Sequence, residues 1–355
     1  MSGYLFKILR ESIRLTQVEL AERLEVDVAT VQGWESGRRP LTALRAGDLM
    51  RLRASLIRLG VQPSAFSALH DAVEADLVIA DAVEAGEKPM APERHLLASS
   101  VHRRSLTNLI TWPFTGAVPP QVTSLSDQRP ARRGPVADRP VLDTDERTRF
   151  FDHLLITADA FRDDTNALLR RQAIYLLGFD VRPGTVDWLT AEQRRAVRVA
   201  APAGDVPAWL AVRSSAVALA CNGERDALRD FVSSGLADDT QQTANLNYWA
   251  YWVGEIPEVH ADDGFMANPR SMTWSGLRLF EHLLDRLRLG SDHAELNIHT
   301  LWSLLLARPS VLEHHSRLRA MAREKLDRVA DDPDLVLRSR QELASVAYAI
   351  RLADR

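Results

Sequence analysis

The chain of 355 residues holds a single cysteine, Cys221. One thiol excludes a disulfide framework or a cysteine-based metal site within one chain. Set in the run Val217-Ala-Leu-Ala-Cys221, it reads as a small buried side chain. Lysine is almost missing as well: Lys7, Lys88 and Lys325 are three of 44 basic residues, and the rest are arginine. With abundant Ala, Leu and Asp, that bias is the mark of GC-rich coding sequence. No apolar run reaches the ~18 residues of a membrane span, and no secretory leader is recognisable, so a cytoplasmic protein without a membrane partner is expected. There is no stretch of alternating β-branched residues long enough for a sheet. The chain also lacks a phosphate-cradling glycine loop, a GxSxG elbow and a Cys/His nucleophile pair. Its carboxylates are plentiful but unpaired. Among the histidines, His293 and His299 are six apart, His314 and His315 are adjacent, and His260 with Asp262 and Asp263 lacks helical i, i+4 spacing. These absences leave no catalytic residue, metal site or cofactor to assign, so an enzyme is not expected. What remains, with 46% hydrophobic residues and only 17 glycines and 17 prolines, is the composition of an all-α protein.

The most informative stretch is residues 15–39, which reads as two short amphipathic helices joined by a tight turn. Thr16 can cap the first helix, with Glu19 three residues on completing a capping box. Leu20, Ala21 and Leu24 share one face, and Ala21 is small where the second helix must cross closely. Val26 plugs the turn. Asp27 is a suitable N-cap for the second helix, Val31 and Trp34 return to the core, and Gly37 stops it. Val28, Ala29, Thr30, Gln32 and Gly33 are not needed for that core and are free to face a groove. A helix entering the major groove leads with its N-terminal residues. There Gln32 suits an adenine edge, and Val28 or Ala29 a thymine methyl. Gln17, at the start of the first helix, suits a phosphate. Arg38 and Arg39 are placed to reach the sugar–phosphate backbone.

Residues 5–55 resemble the XRE family of helix-turn-helix regulators, the class of the λ and 434 repressors, in an actinobacterial type with a large helical C-terminal domain. Leu15-Thr16-Gln17, Glu19-Leu20-Ala21, Val26, Val31, Trp34-Glu35 and Gly37 carry the resemblance. It implies a structural ion pair between Arg10 and Glu35 beneath the recognition helix. It also implies DNA-facing positions for Gln17, Val28, Ala29, Thr30, Gln32 and Gly33, and repression more often than activation; Asp27, Arg38 and Arg39 complete the DNA-binding candidates. Two positions depart from the pattern. Glu25 stands where the family has a glycine with positive φ, a strain of about 1 kcal/mol. Gly33 lies inside the recognition helix, where it costs roughly 1 kcal/mol relative to alanine and leaves base readout sparse.

The net charge of −4 is unevenly spread. Residues 1–60 carry ten Lys/Arg against seven Asp/Glu, hence +3, and the remainder is therefore −7. A modestly basic module on an acidic body binds phosphate while the body stays off the DNA. So few positive charges imply a homodimer reading half-sites one helical turn apart, roughly 34 Å.

Four segments are expected: a helix-turn-helix domain at 1–60, a helical connecting segment at 61–112, a Pro/Arg-rich linker at 113–142, and an all-helical dimerisation and effector domain at 143–355. His102-Arg103-Arg104 in the second segment, and Arg129, Arg132 and Arg133 in the third, are further basic groups that either touch phosphates or are simply solvated. The last segment reads as antiparallel helix pairs, with a tetratricopeptide-like stack as one variant.

Within it, Asn245, Tyr248, Trp249, Tyr251, Trp252 and Glu255 bring aromatic and polar groups together on one helix. That helix is a ligand pocket, a partner groove, buried core or a dimer interface. The reading is a sequence-specific DNA-binding regulator whose C-terminal domain dimerises and senses a small molecule or a protein. The alternatives are a helical-repeat interaction scaffold and an antitoxin-like protein with accessory DNA binding.

Overall fold

The computed structural model describes residues 1–63, 65–126, 139–162, 166–199, 205–258, 260, 262–268, 273–313 and 315–354. Every regular element among them is helical, as composition and periodicity require. No helix among the described residues is long and apolar enough to cross a membrane. The chain divides into two compact units, Met1–Ala173 and Ile174–Arg355.

In the first unit, α1 (Ser2–Ser12), α2 (Gln17–Leu24), α3 (Val28–Ser36) and α4 (Ala46–Arg58) precede the long α5 (Ala65–Ala85). The buried face of α5 is mostly small: Ala65, Ala68, Ala72, Ala75 and Ala82, with Phe66, Leu69, Val78 and Ile79. Small side chains let neighbours approach closely, and α1, α6 (Arg104–Thr115) and α8 (Thr144–Ala160) all pack against this helix. Asp76 on α5 receives the Ser2 backbone N–H at 2.7 Å and the Met1 amine, so α5 supplies the carboxylate that the N-terminus of α1 lacks. Arg103, one of the residues weighed for phosphate contact, instead pairs with Asp71 at 2.8 Å and with Glu74 at 2.5 Å, both on α5.

The linker expected at 113–142 is helical over its first half. Pro113 falls inside the last turn of α6, where it forgoes one intrahelical bond just before the helix ends, and Pro120 opens α7 (Pro120–Ser126), where a missing N–H matters least. Val122 and Leu125 are buried. Arg129, Arg132 and Arg133 lie outside the described residues. Residues 144–173 group with the first unit rather than with the C-terminal domain, because α8 buries Phe150, Phe151, Leu154 and Ala158 and packs on α5. Phe114 of α6 stacks on Phe150 with ring centres 5.2 Å apart. The unit boundary falls inside α9 (Ala167–Leu177), where no proline or glycine announces it.

The second unit contains α10 (Pro183–Val199), α11 (Val206–Cys221), α12 (Asp226–Ser234), α13 (Asp239–Val253), α14 (Gly264–Ala267), α15 (Leu277–Arg286), α16 (Ala294–Ala307), α17 (Ser316–Ala330) and α18 (Leu337–Leu352). Several sequence neighbours pack together: α10 on α11, α11 on α12, α15 on α16 and α17 on α18. Thr190, a residue with capping chemistry, lies inside α10 and returns its hydroxyl to the Val186 carbonyl. In a solenoid each repeat touches only the next. Here α16 also meets α12, α13 and α18, and eleven of its residues are buried, so the unit is a bundle around a central helix.

Candidate nucleic-acid interface

The first turn of α2 is closed in both directions: Glu19 N–H donates to Thr16 Oγ1 at 3.2 Å, and Thr16 N–H to Glu19 Oε2 at 2.7 Å. The Thr16 N–H bond to the ionised carboxylate, and then the Thr16 hydroxyl, hold Glu19 below the usual carboxylate range. Leu20 and Ala21 are buried beneath α3. The turn is made by Glu25 in the left-handed region, φ 56° and ψ 42°, with its N–H on the Ala21 and Glu22 carbonyls. Asp27 holds the N-cap position of α3, but its side chain makes no capping bond and stays exposed. Val31 and Trp34 turn inward, Trp34 meeting Phe6 of α1 edge-on at 5.6 Å. Gly37 ends α3 with φ 76°.

Beneath α3 lies a two-pronged ion pair. Arg10 Nε donates to Glu35 Oε1 at 2.5 Å and Nη2 to Oε2 at 3.1 Å, while Nη1 reaches the Leu15 carbonyl at 2.7 Å. Both side chains are nine-tenths buried or more. One guanidinium therefore fixes α1, the approach to α2 and the end of α3 together. Gln17 joins it, its amide donating to Glu35 Oε2 at 2.7 Å, and Gln32 donates to Gln17 Oε1 at 3.5 Å. The two glutamines assigned to phosphate and to base thus stand side by side.

Asp27, Ala29, Gln32, Ser36, Arg38 and Arg39 are exposed, and Val28 and Thr30 are half-buried. Gly33 is buried, covered by the stem of Arg39. Sequence reasoning sent Arg39 to the DNA backbone; the structure lays it on α3, with Nη1 on Thr30 Oγ1 at 3.0 Å. A cleft of about 720 Å³ runs beside this edge, lined by Gln17, Gln32, Glu35 and Arg38 and by Lys7 and Arg139. Arg139 comes from outside the motif and carries no signal in sequence spacing.

Residues 6–52 match the helix-turn-helix family model. They are an XRE-type helix-turn-helix domain. That domain supports a DNA-binding regulator of the XRE type, and it lies in the first unit. No curated protein and no solved structure matches the chain.

The candidate ligand residues of the second unit separate into different contacts. Asn245 donates to Thr300 Oγ1 at 3.0 Å in the core. Tyr251 is buried against Phe265 and His260. Glu255 serves the N-terminus of α15, accepting from Arg278 N–H at 2.7 Å and from Ser275 N–H and Oγ at 3.1 and 3.0 Å. Trp249 is buried beside His282, whose ring burial pushes down to a pKa of about 4, with help from Arg286. Tyr248 and Trp252 remain half-buried and stack with planes 6° apart. Arg213, which the sequence reading did not single out, lies with its guanidinium carbon 4.0 Å from the Tyr248 ring centre.

Cys221 is half-buried rather than buried, 3.7 Å from His293 Nε2, and burial raises its thiol to about 11. His314 lies outside the described residues. Among the described residues, no group of three His, Cys, Asp or Glu is arranged to hold a metal ion.

Proposed function

We propose that the chain binds a specific operator as a homodimer and represses by occupying it, with the C-terminal unit dimerising and sensing a small molecule or protein. The observation that carries the reading is the exposed edge of α3, with Ala29 and Gln32 on it, beside Gln17 and a cleft edged by Lys7, Arg38 and Arg139. In this reading α3 enters the major groove. Gln32 meets an adenine edge, Val28 and Ala29 meet thymine methyls, and Thr30 borders them. The start of α2 at Gln17 receives a phosphate, and the neighbouring strand runs along the cleft past Arg38.

Dimerisation is supported by the modest +3 charge of residues 1–60 and by an apolar row on the outer side of α18. Leu337, Ala344, Tyr348 and Leu352 recur there at helical spacing and are all exposed. The place we assign to an effector is the Tyr248–Trp252 face beside Arg213, since Asn245, Tyr251 and Glu255 are engaged elsewhere.

The test is selection of duplexes from a random pool by the full chain, followed by gel-shift titration of the enriched sequence. Gln32→Ala with Arg38→Ala is expected to weaken that operator by 100-fold or more, taking about 1–3 kcal/mol for the base contact and adding a lost phosphate contact. An unchanged affinity refutes the assigned contacts.

A further inference from the structure

The recognition helix has a hole in the middle of its outer face, and a residue from beyond the helix fills it. Val31 and Trp34 turn into the core, so Ala29 and Gly33, four residues apart, lie on the opposite side. Gly33 offers a groove nothing of its own, and yet it is buried. After Gly37 the chain reverses, and Arg39 N–H bonds back to the Gly33 carbonyl at 2.9 Å. The Arg39 stem then runs over Gly33. A Cβ at residue 33 would lie 3.1–3.2 Å from Arg39 Cβ, Cγ and Cδ, tighter than most such contacts. The guanidinium arrives one turn nearer the start of α3, with Nη1 donating to Thr30 Oγ1 at 3.0 Å. That bond uses one of five N–H donors, and the residue is exposed.

We propose that Arg39 is a base-reading residue, presented across Gly33 to the edge of a guanine in the major groove. The proposal rests on the reading that α3 occupies that groove. The physical case has three parts. A guanidinium with an unspent donor edge matches guanine O6 and N7 bidentately, the commonest specific side-chain contact to DNA. Thr30 and the Gly33 backbone hold the long side chain in place beforehand, which reduces the rotamer entropy lost on binding. And glycine at 33 suits this path, because a Cβ there would force the Arg39 stem to give by a few tenths of an ångström and shift its guanidinium. The otherwise costly mid-helix glycine thereby acquires a reason.

The experiment applies the same random-pool selection to the full chain and to Arg39→Ala, Arg39→Lys and Gly33→Ala. The wild type is expected to require guanine at one position of each half-site. Arg39→Ala is expected to lose that preference by about 10- to 100-fold while keeping the others. Arg39→Lys retains the charge but not the planar fork, so it relaxes the same position. Gly33→Ala is expected to relax it too, with thermal stability unchanged or raised, since alanine favours the helix. A uniform loss of affinity across all sequences in Arg39→Ala, with every preference intact, assigns Arg39 to the backbone and overturns the proposal. If the wild type enriches no sequence at all, the groove reading itself fails and the proposal falls with it. That result is distinct, because it appears before any variant is made.

Discussion

Replacing Glu35 by alanine removes the acceptor on which three elements converge. Arg10 is left with the Leu15 carbonyl as its main strong partner in a site where its side chain is only 10% exposed, and the Gln17 amide loses its acceptor. Breaking a buried ion pair from one side costs about 3–5 kcal/mol, because the remaining charge stays desolvated. Neither group is fully sealed, so the lower end, about 3 kcal/mol, is expected. For a unit of 150–250 residues each kcal/mol moves Tm by roughly 2–4 °C, giving a drop of about 6–12 °C for the first unit. Operator affinity should fall as well, since Gln17 and the end of α3 lose their common anchor. The assay is circular dichroism melting of the full chain, followed by gel shift at a temperature where the variant remains folded. The double variant Arg10→Met/Glu35→Met separates charge from packing: with no orphaned ion it should recover most of the loss in Tm. A Glu35→Ala chain melting within 2 °C of wild type, or a double variant worse than the single one, would refute the reasoning.

Two further outcomes follow from the same unit. Gly3→Ala should cost about 1–3 kcal/mol and weaken DNA binding, because a Cβ there would lie 2.2 Å from the Trp34 carbonyl oxygen and force α1 off α3; melting and gel shift check it. Acidification should destabilise the unit through a buried histidine pair: His153 Nδ1–H donates to the Gly86 carbonyl, leaving Nε2 to accept from His95 Nε2–H at 3.1 Å. Burial, and then the neighbouring His153, push His95 from the usual 6.5 to about 4, while His153 is lowered chiefly by burial. The unfolded chain thus takes up protons that the folded unit refuses. Stability is intact above pH 6.5 and declines by about 3 kcal/mol for His95 as pH falls towards 4. Denaturant titrations across that range should flatten in His95→Gln, and an equally steep wild-type and variant profile contradicts the assignment.

Where information is local, the sequence disclosed the structure closely. Thr16 and Glu19 announce a capping box because both partners lie within one turn, and both bonds form. The resemblance, which sets Glu25 where the family has a glycine with positive φ, implies a left-handed residue there, and φ is 56°. Helices α11 and α13 run between signals that are readable in sequence, an aspartate cap at one end and asparagine or glycine at the other. Illegible features depend on where side chains travel. Nothing in Gly-Arg-Arg says that Arg39 turns back over Gly33. Six prolines suggest a linker, yet Pro120 opens a helix, where its missing N–H matters least, and Pro113 falls in a last turn, where only one bond is forgone. The aromatic run of α13 looked like one site, but whether a residue lines a cavity or caps another helix depends on elements distant in sequence, as Glu255 and α15 demonstrate.

The helix-turn-helix is also less separable from its surroundings than its family match at 6–52 suggests. Helix α1 buries Leu5, Phe6, Ile8 and Leu9 completely or nearly so, a broad apolar face that several neighbours cover together. One cover is α3, through Phe6 and Trp34; the others are α5 and α7, and Tyr4 meets Trp112 of α6 edge-on at 5.3 Å. Close-packed interiors are stiff, so a displacement of α5 against α1 must be taken up at the α1–α3 contact rather than absorbed in between. Gly3 against the Trp34 carbonyl and Arg10 against Glu35 are the two places where it would register, one at the start of α1 and one near its end. Residues 65–126 thus help to hold α1 where it supports α3. On the function proposed above, a substitution that repositions α5 is expected to change operator affinity in gel-shift titration without touching a DNA-facing side chain.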